Sequence, residues 1–192
     1  MADALSIRPA RRCDAAEIAI LVDLASHGFA SWLWYGAVLE GCTDTAMEYG
    51  CMRMQAGGPE GWQNTLIAEW GGEIAGASVA YDVDESVHDA VAGHPVLEPL
   101  IELQRRIVGN RFIDSLGVYR RYRGKGIGRA LVRREIERAG DLAVSLITES
   151  HNETALSLYR ANGFAEVTRL EAVPLDENSK KHDWVLLTRN VT

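Results

Sequence analysis

The chain has 192 residues, of which 47% are apolar and 24% are charged, and this composition excludes disordered and fibrous proteins. The length is sufficient for one domain with a complete core. The net charge of −7 argues against a nucleic-acid partner, because nucleic-acid binders usually carry a basic surplus. The three cysteines match no metal or disulfide spacing. Neither a signal peptide nor a membrane span is evident, so we expect a cytoplasmic protein without a membrane partner.

The first half of the chain predicts two helices and three strands. A strand over Ser6–Ala10 precedes a helix that Asp14 caps and that runs to His27. The aromatic-rich stretch Gly28–Ala37 is assigned to neither helix nor strand, because its apolar residues follow neither the helical nor the strand period. A second helix begins at Thr43 or Asp44 and ends near Gln55. The Gly71-Gly72 pair predicts a hairpin turn between two strands, Asn64–Trp70 and Glu73–Asp82.

The second half of the chain alternates strands with helices. An acidic loop over Asp84–Pro95 precedes a helix over Pro95–Val108. The remaining elements are a strand at Arg111–Val118, a helix at Gly126–Gly140, a strand at Leu142–Thr148, a helix at Asn152–Asn162, and strands at Phe164–Leu170 and Trp184–Thr188. This order predicts a mixed α/β domain.

The segment between the strand Arg111–Val118 and the next helix has the composition of a phosphate-binding loop. Glycines alternate at positions 124, 126 and 128, beside the cations Arg123, Lys125 and Arg129. Glycine allows close backbone approach, and N–H groups at a helix N-terminus bind phosphate. The dinucleotide fingerprint needs glycine where Arg129 stands. The P-loop needs the sequence Gly-Lys-Ser/Thr, whereas Gly126 is followed by isoleucine. A glycine-rich turn with a solvated basic flank is the alternative interpretation.

Two motifs in this region resemble the GNAT superfamily of N-acetyltransferases. Arg123-x-x-Gly126-x-Gly128 resembles its acetyl-CoA signature, and the segment from Asn152 through Tyr159 to Gly163-Phe164 resembles a second signature of the family. The resemblance implies one α/β domain over residues 1–192, with a central mixed, mostly antiparallel sheet of about seven strands flanked by helices. Two segments, about residues 28–63 and 83–110, lie outside the resemblance.

The resemblance also implies the residues that bind acetyl-CoA, the co-substrate. The pantetheine arm would pair with the strand end, and the diphosphate would lie on the loop and the helix start. The implied binding residues are Leu116, Gly117, Val118, Arg123, Gly124, Lys125, Gly126, Ile127, Gly128, Arg129, Asn152 and Tyr159.

Tyr159 is the predicted proton donor to the departing thiolate. Asn152 and Tyr159 are seven residues apart and therefore share one helix face. A tyrosine hydroxyl is protonated at pH 7 and can hydrogen-bond the sulfur of the leaving group. The family assigns that role to the tyrosine at this place. A core tyrosine, packed by its ring, is the alternative.

Attack by an amine also requires a general base that removes a proton from the nitrogen. Many GNAT enzymes carry a glutamate on the strand before the loop, where this chain has Phe112. Asp114 shares a strand face with Phe112 and is the first candidate, and Glu149 is the second. A structural, hydrogen-bonded carboxylate is the alternative reading of Asp114.

We expect direct attack of a primary amine on acetyl-CoA in a ternary complex, without metal. The acidic chain and its aromatic segment favour a small cationic amine as acceptor. A protein N-terminus or lysine is the alternative acceptor, and a non-catalytic CoA-binding module is the alternative function. His88 and His94 match no metal-ligand spacing. Trp32, Trp34 and Tyr35 could line an acceptor pocket, pack in the core or contact a second copy in a homodimer.

Overall fold

The computed structural model describes residues 4–175 and 179–191. Its strands are β1 (Leu5–Pro9), β2 (Thr65–Trp70), β3 (Glu73–Asp82), β4 (Arg111–Val118), β5 (Val144–Glu149), β6 (Ala165–Glu171) and β7 (Asp183–Arg189). Its α-helices are α1 (Ala15–Ala25), α2 (Phe29–Leu39), α3 (Ala46–Ala56), α4 (Glu98–Arg105), α5 (Ile127–Ala139) and α6 (Glu153–Arg160). None of the helices in the described ranges is both long and apolar enough to cross a membrane.

The seven strands form one mixed sheet in the order β1-β2-β3-β4-β5-β7-β6. The pairs β1–β2, β2–β3, β5–β7 and β6–β7 are antiparallel, whereas β4 and β5 are parallel. The parallel register joins Arg111–Ile113 to Val144–Leu146. This mostly antiparallel sheet with flanking helices confirms the predicted fold class.

The turn between β2 and β3 follows the predicted hairpin. Gly71 and Gly72 have φ angles of +61° and +88°, which place both in the left-handed region that glycine adopts without steric cost. Two consecutive residues of positive φ form the turn that matches the twist of the flanking strands. The turn therefore places Trp70 and Glu73 opposite one another at the tip of the hairpin.

The described residues divide into two compact units. The first comprises residues 4–81 and 114–134. Its core contains Ile18 and Leu21 of α1, Trp34 of α2 and Met54 of α3. A Cβ added at Gly50 of α3 would lie 2.4 Å from the Trp34 ring, so this glycine permits the close approach of α2 and α3.

The second unit comprises residues 82–113, 135–175 and 179–191, and it contains a buried ion pair. The guanidinium of Arg111 donates from Nε and Nη2 to one carboxylate oxygen of Glu135, at 3.2 and 3.1 Å. The Glu135 side chain is completely buried, and Arg111 also pairs with Asp82 at 3.1 Å. A buried carboxylate requires such partners, because an unpaired charge is very costly to bury.

Asp14 occupies the N-cap position of α1, as predicted, but its side chain does not cap the helix. The Asp14 side chain makes no cap hydrogen bond to that helix. It accepts two hydrogen bonds from Arg8, at 2.7 and 3.1 Å, and one from the Arg11 backbone. Hydrogen bonding from Arg8 holds the pKa of this buried carboxyl below its ordinary value. The bidentate ion pair outcompetes the cap because charge-assisted bonds are the stronger ones.

Other element boundaries differ modestly from the sequence prediction. The unassigned stretch Gly28–Ala37 is mostly helix α2, and Thr45, rather than Thr43 or Asp44, caps α3 by accepting from the Glu48 N–H. The helix predicted over Pro95–Val108 is α4, shorter and preceded by a 3₁₀ turn at Pro95–Leu97. The acidic loop holds another 3₁₀ turn at Glu85–Asp89.

Candidate active site

The C-terminal end of β4 leads into the glycine-rich loop. Leu116 and Val118 pack against a core cluster that includes Ile127 and Leu131 of α5. Gly117 lies between them, and a Cβ there would approach the Leu21 carbonyl oxygen to 2.3 Å. The strand end and the helix start are therefore held on one core, with backbone packed closely at Gly117.

The loop itself presents open backbone at two glycines. Gly124 and Gly126 have φ angles of +78° and +81°, and an added Cβ at either position would meet no atom within 4 Å. Gly128 lies within the first turn of α5, after the buried Ile127. Positive φ and open space at a helix start are what an anion-binding backbone requires. The loop therefore fits the diphosphate of a coenzyme.

The three cations of the loop are exposed. The Nε of Arg123 donates to the Val118 carbonyl oxygen at 3.1 Å, which fastens the loop to the end of β4. The Lys125 ammonium lies 4.6 Å from the centroid of the Trp70 ring, within cation–π range. The positive charge that phosphate requires is thus present at the loop.

Contacts that the sequence did not predict join the loop to the β2–β3 hairpin and to α1. The Tyr122 hydroxyl donates to the Glu73 carboxylate, and Arg121 pairs with the same carboxylate at 3.3 Å. The Tyr119 hydroxyl donates to Glu17 of α1. Glu17 and Tyr119, together with Arg120 and Arg121, line an open cleft of about 450 Å³.

Asp114, the first candidate base, is a partly buried carboxylate in the middle of β4. Burial raises its pKa to about 7, and the nearby Glu60 carboxylate acts in the same direction. The Ser115 hydroxyl lies 2.9 Å from its Oδ2. Phe112, which occupies the position of the family's usual glutamate, is buried apolar core. A carboxyl of this pKa can accept a proton near neutral pH.

Glu149, the second candidate base, lies at the end of β5, close to two histidines. Its side chain is 17% exposed, and its Oε2 lies 3.4 Å from Nε2 of His151. The His151 ring contacts the edge of the His182 ring, with centroids 5.3 Å apart, and His182 in turn contacts Trp184. This carboxylate is therefore already engaged by an imidazole.

The second motif forms helix α6. Asn152 caps the helix, because its side-chain oxygen accepts a hydrogen bond from the Ala155 N–H at 3.2 Å. Tyr159 is buried, and its ring packs against Phe164 with centroids 5.9 Å apart. Burial raises the pKa of Tyr159 to about 12, so its hydroxyl keeps its proton throughout the neutral range.

Some candidate residues have other surroundings. Within residues 4–175 and 179–191, no group of three or more His, Cys, Asp or Glu side chains is placed to hold a metal. His94 accepts from the Val96 N–H, and His88 lies 3.5 Å from Glu85. Trp34 is core, whereas Trp32 and Tyr35 are 39% and 54% exposed.

Residues 31–164 match the model of the acetyltransferase (GNAT) family. The match runs through both segments that the sequence motifs left outside the resemblance. Among curated proteins, an uncharacterized protein of Mycobacterium leprae is 38% identical over 55 residues. Those residues are 29% of this chain but only 15% of that protein, so the chain spans a small part of its length.

Solved structures share the fold across almost the whole chain. An N-acetyltransferase of Staphylococcus aureus Mu50 is 20% identical, with a TM-score of 0.64 and coverage of 95% of this chain and 99% of that one. A Salmonella typhimurium protein, solved with its cofactor acetyl-CoA, is 19% identical, with a TM-score of 0.62 and coverage of 99% and 95%. The ribosomal-protein-alanine N-acetyltransferase of Brucella melitensis is 19% identical, with a TM-score of 0.62 and coverage of 97% and 99%.

Proposed function

Because the chain belongs to the acetyltransferase (GNAT) family, we propose that it transfers the acetyl group of acetyl-CoA to a primary amine by direct attack. The membership confirms the predicted family and its co-substrate. The loop around Gly126 would hold the diphosphate of that co-substrate. Leu116–Val118 would pair with the pantetheine arm, as the family resemblance implies.

The observation that carries the amine acceptor is the carboxyl of Asp114. An alkyl ammonium with a pKa near 10.4 is neutral in only about one molecule in a few thousand at pH 7, so a proton acceptor is required before attack. Asp114 has a pKa raised to about 7 by burial, and general bases work best near the operating pH. It is a better base than an ordinary aspartate, because its conjugate acid is weaker.

Tyr159 is proposed as the proton donor to the leaving group. Its pKa of about 12 keeps the hydroxyl protonated when a thiolate of pKa near 8.5 is expelled. The ring is fixed by its packing against Phe164, so the hydroxyl has a defined position. A fixed donor stabilises developing charge without reorganisation cost at the moment of reaction.

The proposed steps balance as follows. The ammonium loses one proton to the Asp114 carboxylate, and the neutral nitrogen attacks the thioester carbonyl carbon. A C–N bond forms as the C–S bond breaks, and the sulfur takes the Tyr159 proton. The second proton of the nitrogen passes to solvent as the amide forms. Tyr159 regains a proton from solvent and Asp114 releases its proton to solvent, so that one proton is released per turnover. The products are an N-acetyl amide and free CoA, without a covalent enzyme intermediate.

A small cationic amine is the acceptor class that the surroundings of Asp114 favour. Glu60 raises the pKa of Asp114 through its negative charge, so the two carboxyl groups share one electrostatic environment. Arg53, which pairs with Glu60 at 2.7 Å, offsets part of this charge, and the net charge of −7 of the whole chain favours a cationic acceptor. Among the structural neighbours, one is named for an acceptor in a ribosomal protein, and a protein N-terminus therefore stands as the second candidate acceptor.

The test is release of free CoA from acetyl-CoA in the presence of a panel of amines. The panel contains mono- and diamines, amino acids, neutral aromatic amines and peptides with free N-termini. We expect turnover with at least one small cationic amine and formation of the matching N-acetyl product by mass spectrometry. Turnover with peptides and with none of the small amines would show that the acceptor is a protein N-terminus rather than a small amine. Acetyl-CoA binding without turnover across the panel would favour a CoA-binding module.

A further inference from the structure

The exposed loop that would bind the diphosphate has few buried contacts of its own. Arg123, Gly124, Lys125 and Gly126 are all exposed. A loop of this kind loses conformational freedom when it binds a ligand, and that loss weakens affinity unless the loop is ordered beforehand. The contacts that order it therefore bear directly on coenzyme affinity.

Two such contacts come from the tip of the β2–β3 hairpin. The Lys125 ammonium lies over the Trp70 ring, 4.6 Å from its centroid. Glu73, which directly follows the turn, accepts a hydrogen bond from the Tyr122 hydroxyl and forms an ion pair with Arg121. The Arg121 guanidinium also stacks over the Tyr122 ring at 4.9 Å. The two residues that flank the turn, Trp70 and Glu73, thus contact the loop, Trp70 at Lys125 and Glu73 at Arg121 and Tyr122.

We propose that Trp70 and Glu73 are positioning residues for acetyl-CoA binding, which act by holding the coenzyme loop in its binding conformation. Trp70 fixes the ammonium of Lys125, a flexible side chain that would otherwise lose rotamer freedom on meeting phosphate. Glu73 fixes Tyr122, just before Arg123. This inference rests on the proposed function only in taking acetyl-CoA as the ligand of the loop.

An exposed cation–π contact that does not hold a ligand-binding side chain in place would have little effect on coenzyme affinity. Trp70 is partly buried against the cluster of Leu66, Ala68 and Ile127, so its ring is already fixed by packing. A fixed ring is a better anchor for a mobile lysine than a second mobile side chain. The ring also leaves the ammonium its full charge, which a carboxylate partner would partly neutralise. Trp70 therefore orients the cation while leaving its charge available for phosphate.

The experiment measures the dissociation constant of acetyl-CoA by calorimetry for Trp70→Leu, Trp70→Phe and Tyr122→Phe. An exposed cation–π contact corresponds to about a two- to fivefold change in affinity. We expect Trp70→Leu to weaken binding about fivefold, Trp70→Phe less, and Tyr122→Phe about threefold, with KM for acetyl-CoA rising in parallel and kcat unchanged. Melting temperatures identify any variant that loses the fold, and Trp70→Phe keeps a ring in the core.

A double-mutant cycle separates positioning from general support of the fold. If Trp70 acts through Lys125, Trp70→Leu has no further effect on affinity in a Lys125→Met background. Lys125→Met also flattens the salt dependence of binding, whereas Trp70→Leu leaves the slope unchanged because no charge is removed. An equal loss of affinity in both backgrounds, or wild-type affinity in Trp70→Leu, overturns the proposal. Failure of the wild type itself to bind acetyl-CoA overturns the proposed function instead.

Discussion

Replacement of Asp114 by asparagine should stabilise the protein at high pH while it removes most of the activity. The neutral carboxyl is favoured in the folded state, because burial raises its pKa from 3.8 to about 7. The folded state therefore binds the proton more tightly than the unfolded chain between those two values. The free energy of unfolding of the wild type then falls as pH rises through this window. The asparagine side chain does not titrate, so it adds no such pH dependence to the free energy of unfolding of the variant.

The size of the effect follows from the change in pKa. A rise from 3.8 to about 7 corresponds to about 4 kcal/mol at about 1.4 kcal/mol per pKa unit. Because the carboxyl is only partly buried, we expect a stability advantage of about 2 kcal/mol for Asp114→Asn at pH 8. The advantage should grow between pH 5 and pH 7 and remain level above pH 7.

The assay is urea denaturation of the wild type and Asp114→Asn at half-unit steps from pH 5 to pH 8.5, combined with kcat/KM over the same range. The matched control is Asp84→Asn. Asp84 is exposed, and hydrogen bonds from Ser86 lower its pKa, so its contribution to stability is present above its ordinary pKa and constant across this range. We expect kcat/KM of Asp114→Asn to fall by about 10²–10⁴-fold. The acid limb near pH 7 should also disappear.

A difference in unfolding free energy between the wild type and Asp114→Asn that does not vary from pH 5 to pH 8 would refute the reasoning about the environment of Asp114. Retention of full kcat/KM would refute its role as base. In that second case Glu149, paired with His151 at 3.4 Å, would be the next carboxylate to replace.

Three further predictions concern the leaving group, the loop and the buried ion pair. Tyr159→Phe should lower kcat at least about 10²-fold, equally from pH 6 to pH 9 because the hydroxyl stays protonated, with acetyl-CoA affinity unchanged; an undiminished kcat would make Tyr159 a packing residue. Gly126→Val should abolish acetyl-CoA binding measured by calorimetry, since valine is strained at φ +81°, and unchanged affinity in the folded variant would show that the loop is only a turn. Glu135→Gln should lower the free energy of unfolding by about 3–5 kcal/mol, whereas Arg111→Met with Glu135→Met should be nearly neutral; equal losses in urea denaturation would contradict the ion-pair argument.

Local signals predicted a large part of the fold. Strand β4 was predicted with its observed bounds, and the Gly71-Gly72 hairpin followed from the φ angles that its turn requires. The loop that we propose for the coenzyme was recognisable because its spaced glycines and its basic residues lie within seven consecutive positions. In each case the residues that determine the structure are neighbours in sequence, so backbone sterics and period are sufficient.

The helix α2 shows where such signals fail. It is apolar on nearly all sides, so no periodicity separates its faces. The packing of α3 decides that Trp34 is core, because Gly50 leaves room for its ring, while Trp32 and Tyr35 remain exposed. The sequence did contain one signal for the buried ion pair. Glu135 follows Ile127 and Leu131 at four-residue spacing, so it lies on the apolar face of α5, where a carboxylate needs a cationic partner.

The sequence by itself determined the class of fold, the family and the co-substrate, because these follow from short segments with strong conformational preferences. Only the tertiary structure decided the chemistry of individual side chains. Asp114 has a pKa of about 7 because burial and Glu60, more than fifty residues earlier in the chain, act on it together. The Asp14 side chain binds Arg8 rather than the N-terminal N–H groups of α1, and Lys125 lies over Trp70. Each of these depends on distances that folding sets between segments remote in sequence, and electrostatic and desolvation energies depend steeply on those distances.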